Sequence, residues 1–150
     1  MTQLVTFTVG GNRYGVDVAS VREAVRAPRR TPVPLAPPEV DGLANLRGQI
    51  VMRIDPRRRL QLPPRPAELR PMLIVAEANG ETVGLLVDEV GDVVDVDPDQ
   101  VKAAPRTLHP SLRTYITGAV PLPQGLLLVL DLAALTAPAP TSPQHEGAPA

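Results

Sequence analysis

Leu4-Val5-Thr6-Phe7-Thr8-Val9-Gly10-Gly11-Asn12-Arg13-Tyr14-Gly15-Val16-Asp17-Val18 (residues 4–18) is the stretch on which the reading of the fold turns. Its first six residues alternate with period two and are rich in β-branched side chains, the signature of a strand with one face buried. Gly10-Gly11-Asn12 supplies residues that tolerate a tight reversal. Tyr14 to Val18 then reads as the returning strand of a hairpin. Working outward, Val21 and Val25 continue the β pattern. Five prolines between Pro28 and Pro38 mark a loop, and Glu39 to Ala44 is expected as a short helical turn. Gln49 to Ile54 is a strand, and Pro56 sits where a short helix can begin.

Beyond a proline-rich stretch at 63–71 the β pattern returns. Met72 to Ala76 and Thr82 to Val87 flank Asn79-Gly80, the strongest hairpin signal in the chain. Val90 to Val96, Tyr115 to Val120 and Leu126 to Leu130 complete the set, and Asp131 to Thr136 can make one helical turn. The halves echo each other. At an offset of 69, Gly15, Val18, Val21, Glu23 and Val25 meet Gly84, Val87, Val90, Asp92 and Val94. At an offset of 76, Gly42, Leu46, Ile50, Ile54 and Asp55 meet Gly118, Leu122, Leu126, Leu130 and Asp131. Duplication follows: an all-β domain over 1–136, made of two small barrels side by side with their boundary near 63–71. Barrels this small are hard to stabilise alone, so they are expected to share an apolar interface, with a groove between them and one terminal strand crossing over. Residues 137–150, rich in Pro and Ala, are expected to be a disordered tail.

Composition excludes more than it selects. The 150 residues are 43% apolar but only 2% aromatic, too few rings for a single-strand stacking platform. A net charge of −1 argues against a general nucleic-acid binder. The absence of Cys removes disulfides, thiol nucleophiles and cysteine zinc sites. No basic segment followed by an apolar one opens the chain, and the apolar run Leu126 to Leu130 is far short of the roughly 20 residues that span a bilayer. A soluble, cytoplasmic protein is expected. No serine lies in a nucleophile elbow, His109 reads as a surface-loop residue before Pro110, and neither glycine pair has the setting of a phosphate loop. Asp88, Glu89, Asp92, Asp95, Asp97 and Asp99 lack the loop glycine and terminal Glu of a calcium hand and are expected to face water. No catalytic residue, cofactor or metal ligand is therefore assigned. Charge is segregated: residues 22–70 carry eleven Arg against five acids, and residues 71–100 carry eight acids and no base. Opposite-signed faces for separate protein partners are one reading, a mixed solvated surface the other.

The most informative segment runs from Gly42 to Asp55. Arg47 precedes Gly48 between two apolar strands, which aims a charged fork out of a rigid edge, and Glu23 is placed to hold it. With this segment the chain resembles the CheW family, the coupling proteins of bacterial chemosensory arrays. The resemblance is carried by Phe7 to Gly10 with Tyr14 to Asp17, Val21-Arg22-Glu23, Asn45 to Val51, Val83 to Val90 and Tyr115 to Gly118, in order over about residues 3 to 135. It implies two SH3-like five-stranded β-barrels with short helical turns and a non-enzymatic adaptor. The implied partners are the cytoplasmic tip of a chemoreceptor (a methyl-accepting chemotaxis protein), bound in the groove between barrels, and the regulatory domain of a CheA-type histidine kinase. Other CheW-like domains in a ring are a further implied partner, and nucleic acid and direct membrane insertion are not. The implied place is the cytoplasm, at membrane-associated receptor arrays or a cytoplasmic or nucleoid cluster. Carried over by position, Val21, Glu23, Gly42, Arg47, Gly84, Val90 and Val93 fall at or behind the receptor groove; kinase-binding residues are not assigned.

The chain departs from the family pattern at Met52, where a Pro is usual, at Arg53, where an apolar residue is usual, and at Pro56, where a Leu is usual. An Arg at a buried strand position must snorkel out or find an acid. These departures and the shortened C-terminal helix admit an accessory version of the protein that binds receptor but engages the kinase poorly.

Overall fold

Each period-two segment read from the sequence forms a strand in the structure, a computed structural model that describes residues 1–138. The expected tail lies outside the described residues from 139 onward. In chain order the strands are β1 (Thr2–Val9), β2 (Asn12–Asp17), β3 (Val21–Arg26), the two-residue β4 (Arg30–Thr31), β5 (Val40–Leu46), β6 (Gln49–Ile54), β7 (Met72–Ala78), β8 (Glu81–Val87), β9 (Glu89–Val96), β10 (Ile116–Leu122) and β11 (Gly125–Leu130). One short helix, α1 (Leu132–Thr136), is capped by the Asp131 carboxylate, which accepts from the Ala134 N–H. Two local expectations are corrected. Glu39 to Ala44 is not a helical turn: from Val40 on it is β5, laddered to β6 from Val40↔Ile54 to Leu46↔Gln49. Two of its three buried positions are Gly42 and Ala44, too small to print an alternation over 39–44. The run after Pro56 is a turn, with Leu60 N–H donating to the Pro56 carbonyl at 2.9 Å, and does not propagate into a helix.

The strands form a five-stranded sheet, β10-β11-β2-β1-β9, and a six-stranded one, β3-β7-β8-β6-β5-β4. The boundary placed near 63–71 does not separate these sheets. Each half contributes its first hairpin to the other half's remaining strands: β1-β2 joins β9-β10-β11, and β7-β8 joins β3 to β6. The exchange is reciprocal and keeps register. Leu4 pairs with Val94 on one side and Val25 with Leu73 on the other. The parallel contacts Tyr14↔Leu128 and Val83↔Met52 correspond in the same way. Each sheet curls toward closure at an equivalent place, through β4 against β5 in one and the Lys102↔Ala119 bridge in the other.

The exchange follows from where apolar faces go. On β1, Leu4 points into its own curled sheet with Val96, Val120 and Leu127, while Val5, Phe7 and Val9 point at the other lobe. On β7, Leu73 and Val75 point inward with Leu46, Val51 and Leu86, while Ile74, Ala76 and Ala78 point at the first lobe. Seventeen described residues make up the seam cluster, against five and four in the two interiors. At about 1.5–3 kcal/mol per fully buried large apolar side chain, most of the burial energy therefore lies between the lobes, and neither can keep it alone.

Glycines permit the tight curl. A Cβ on Gly84 would sit 2.7 Å from Leu73 Cδ1, and one on Gly42 (φ +135°) would sit 2.7 Å from the Thr31 carbonyl oxygen. Three arginines after β5 complete the frame by burial with acids. Arg57 Nη2 lies 2.9 Å from both oxygens of Asp88, whose Oδ2 also accepts from the Gly10 N–H at the tip of the β1–β2 hairpin. Asp88 stands at the β8–β9 crossover, so this cluster ties one sheet to the other. It corrects the expectation that Asp88 simply faces water. Arg59 pairs with Glu39 at 2.9 Å, donates to the Ala134 and Leu135 carbonyls and lies 5.8 Å over the Tyr115 ring. Arg53 does find its acid: it is 5% exposed, 3.0 Å from Asp41, and donates to the Pro28 carbonyl at 2.5 Å.

Candidate functional site

The β5–β6 hairpin turns through Arg47-Gly48, both at positive φ (53° and 88°). Asn79-Gly80 in the β7–β8 hairpin (54° and 78°) and Gly10-Gly11 in the β1–β2 hairpin (60° and 82°) have the same geometry. Two-residue turns of this kind favour Asn-Gly or Gly-Gly, because both central residues must tolerate the left-handed region. Arg47 is the exception. Holding a long L side chain there costs about 1 kcal/mol that Asn or Gly would avoid. Local bonding offsets part of it: the Gly48 N–H donates to Asn45 Oδ1 at 2.8 Å. The guanidinium Nη2 is bonded to Glu23 Oε2 on β3. The Arg47 side chain is 66% exposed and that of Glu23 34%, so the pair adds little stability but fixes where the fork points. A strained, exposed, held cation is the arrangement expected of a contact residue.

The other residues singled out from the sequence divide by role. Val21 at the start of β3 and Val90 near the start of β9 occupy equivalent places in the two halves, and both pack half-buried against the seam cluster. Val93, on the edge strand β9, is 50% exposed. Gly42 and Gly84 are buried and present no surface; their close approaches to Thr31 and Leu73 account for them as closure points. The structure thus brings Glu23 and Arg47 into contact and sets Val21 and Val90 on one seam, while the two glycines stand behind.

A cleft opens between the lobes, lined by Arg26, Leu69, Arg70 and Met72 from one side and Asp88, Glu89 and Val90 from the start of β9. Its floor is apolar and its walls are charged, and Arg26, Arg70 and Glu89 were not assigned to the groove from the sequence. The segregation of Arg before residue 70 from acids after it was the signal that could have found them. A more apolar cleft lies elsewhere, about 180 Å³ between Pro37, Val40, Met52, Ile54, Val83 and Pro138. Among the described residues no group of His, Cys, Asp and Glu is arranged to hold a metal ion. His109 caps a short turn, its Nδ1 2.8 Å from Ser111 Oγ and accepting from the Ser111 N–H. No helix among the described residues is long and apolar enough to cross a membrane.

Comparison with known proteins agrees with this architecture. A family profile described as the CheW-like domain matches residues 3–138. The chain is 31% identical to the chemotaxis protein CheW of Treponema pallidum over 87% of its length and 79% of that protein's. It is 30% identical to the chemotaxis protein CheW of Bacillus subtilis over 86% and 83%. The crystal structure of the scaffolding protein TtCheW from Thermoanaerobacter tengcongensis superimposes with a TM-score of 0.80 at 26% identity, covering 91% of this chain and 92% of that one.

Proposed function

The chain belongs to the CheW-like domain family, and from that membership we propose that it is a non-catalytic adaptor of a bacterial chemosensory array. In this reading it couples the cytoplasmic tips of chemoreceptors to a CheA-type histidine kinase and resides in the cytoplasm at receptor clusters. The observation that carries the reading is Arg47. It occupies a turn position that disfavours it, it is exposed, and Glu23 orients it, beside a seam whose half-buried valines Val21 and Val90 offer an apolar floor. An amphipathic helix from a receptor tip would lay its apolar row on that floor and present an acceptor to Arg47 at the rim.

Binding of a soluble receptor-tip fragment, followed by calorimetry, tests this. Arg47→Glu and Val21→Asp should each weaken it by more than tenfold while the folded fraction is unchanged. Undiminished binding by both variants would remove the groove from the reading. Pulldown of the cognate kinase regulatory domain tests the second arm. The comparisons do not favour the accessory version, and of the departures that admitted it Arg53 is buried against Asp41 rather than presented to a partner.

A further inference from the structure

The two strands that flank the cleft between lobes are the same element in the two halves of the duplication, yet their outward residues differ in sign. β3 and β9 keep their apolar positions: Val21 and Val90 pack against the seam cluster, and Val25 and Val94 against the interiors of their own lobes. Outward, β3 exposes Arg22 and Arg26, and β9 exposes Glu89, Asp92 and Asp95. The divergence continues past the strands, with Arg29 and Arg30 on one side and Asp97 and Asp99 on the other. One acid is retained in both copies, Glu23 and Asp92, but only Glu23 is neutralised. Its partner Arg47 corresponds to Pro123 in the second half, so Asp92 has no cation within salt-bridge distance among the described residues. Glu77, on β7 opposite the start of β3, is bound to Arg22 at 3.2 Å, and Arg26 donates to the Arg70 carbonyl. On the acidic side Lys102 lies by Asp97 and Asp99, and its Nζ is 3.4 Å from the Asp99 carbonyl oxygen. The cleft itself shows the polarity, with Arg26 and Arg70 across from Glu89.

We propose that this charge dipole across the groove dictates the direction in which a receptor helix lies: the occupant carries an acidic flank against β3 and a basic flank against β9. The proposal rests on the groove being the receptor site. Reversing a helix end for end exchanges its two flanks, so a groove with unlike walls accepts one direction and opposes the other, whereas like walls would accept both.

The absence of Cys makes the test direct, because single introduced thiols carry a label cleanly. Ala19→Cys, before the start of β3, and Ala67→Cys, beside the Leu69–Arg70 wall that meets the end of β3 at Arg26, are both exposed and mark opposite ends of that strand. Three synthetic helical peptides share one apolar row. The first has Glu along one flank and Lys along the other, the second has the flanks exchanged, and the third has Glu on both. The first two should bind with similar affinity and in opposite directions, read as energy transfer from the peptide N-terminus to one thiol or the other. Both should bind roughly tenfold tighter than the third at ~50 mM salt, with the advantage mostly gone at ~500 mM. The fourfold charge-reversed variant Arg22→Glu, Arg26→Glu, Glu89→Lys, Asp92→Lys should turn both peptides around. If the first two peptides lie in the same direction, or the third binds as tightly as they do, the proposal is overturned while the groove stands. If Val21→Asp leaves peptide binding unchanged, the groove reading falls, and this proposal with it.

Discussion

Removing the charge of Asp88 should destabilise the whole protein although Asp88 lies in neither lobe's interior. Its side chain is 14% exposed and that of Arg57 is 7%, and Arg57 Nη2 lies 2.9 Å from both of its oxygens. Arg57 also donates to the Pro63 carbonyl, and Asp88 accepts from the Gly10 N–H. Asp88→Ala therefore leaves a buried guanidinium without its counter-charge and an amide at the hairpin tip without its acceptor. Breaking a buried pair from one side costs about 3–5 kcal/mol, because the remaining charge is neither solvated nor paired. For a domain of this size that corresponds to a fall in Tm of roughly 6–20 °C. Asp88→Asn keeps an oxygen for Gly10 and should cost less. Replacing both partners, Arg57→Met with Asp88→Leu, removes the stranded charge and should restore much of the loss. Thermal and urea unfolding of the wild type, Arg57→Met, Asp88→Leu and the double variant gives the coupling directly. A loss under about 1 kcal/mol for Asp88→Ala, or single-variant losses that merely add in the double variant, would refute the role given to this tie.

Three other outcomes are expected. Arg53→Val strands Asp41 and should cost about 3 kcal/mol in urea unfolding, while Arg53→Val with Asp41→Ala should recover most of it, since the equivalent position in the other lobe is the apolar Val129. Burial pushes the Tyr14 hydroxyl above its usual 10.0, outweighing the hydrogen bond from Asn12 and the nearby Arg57 charge. A raised folded value means the stabilisation is complete below pH ~10 and is lost as pH climbs through the folded value; Tyr14→Phe should flatten the fall in unfolding free energy between pH 9 and 11. Arg47→Asn exchanges a strained turn residue for a favoured one and gives up an exposed ion pair of similar size, so Tm should hold or rise slightly while receptor-tip binding is lost.

What the sequence made legible is what local periodicity encodes. β1 announces itself because Val5, Phe7 and Val9 are large and alternate with smaller or polar residues, and β7 to β8 because Asn79-Gly80 fixes the turn between them. β5 was hidden because two of its three buried positions are Gly42 and Ala44 and a proline-rich run precedes it. The exchange of hairpins was also hidden: β1 carries no mark of whether its outer edge meets β3 or β9, since Val25 and Val94 are alike and only the seam decides. Asp88 follows the strand β8 in a run of acids that alternation sends outward, and nothing local says that Arg57 reaches it. Glu23 with Arg47 could be read, because a charged residue just before a turn glycine has few places to go. Gly42 and Gly84 stood out as glycines, and the close approach of Thr31 and Leu73 supplies a packing reason for each.

The exchange also bears on how a charged groove can be selective. Two barrels joined only by the 63–71 stretch would hinge, and walls that move apart by a few ångströms lose most of a screened interaction between exposed charges. Here each sheet is built from strands of both halves, and the Arg57–Asp88–Gly10 cluster bridges the crossover. Separating the lobes would expose the seam cluster that holds most of the core. The distance between β3 and β9 is thus fixed by the same burial that stabilises the fold, and a helix entering the groove does not have to order the walls first. Seam positions are constrained to match in the two halves because a change there costs kilocalories, whereas an outward substitution on an edge strand costs about 0.5 kcal/mol or less. A duplicated frame is therefore freer to diverge in charge at its outward positions than along its seam, which is the pattern that Arg22, Arg26, Glu89, Asp92 and Asp95 show.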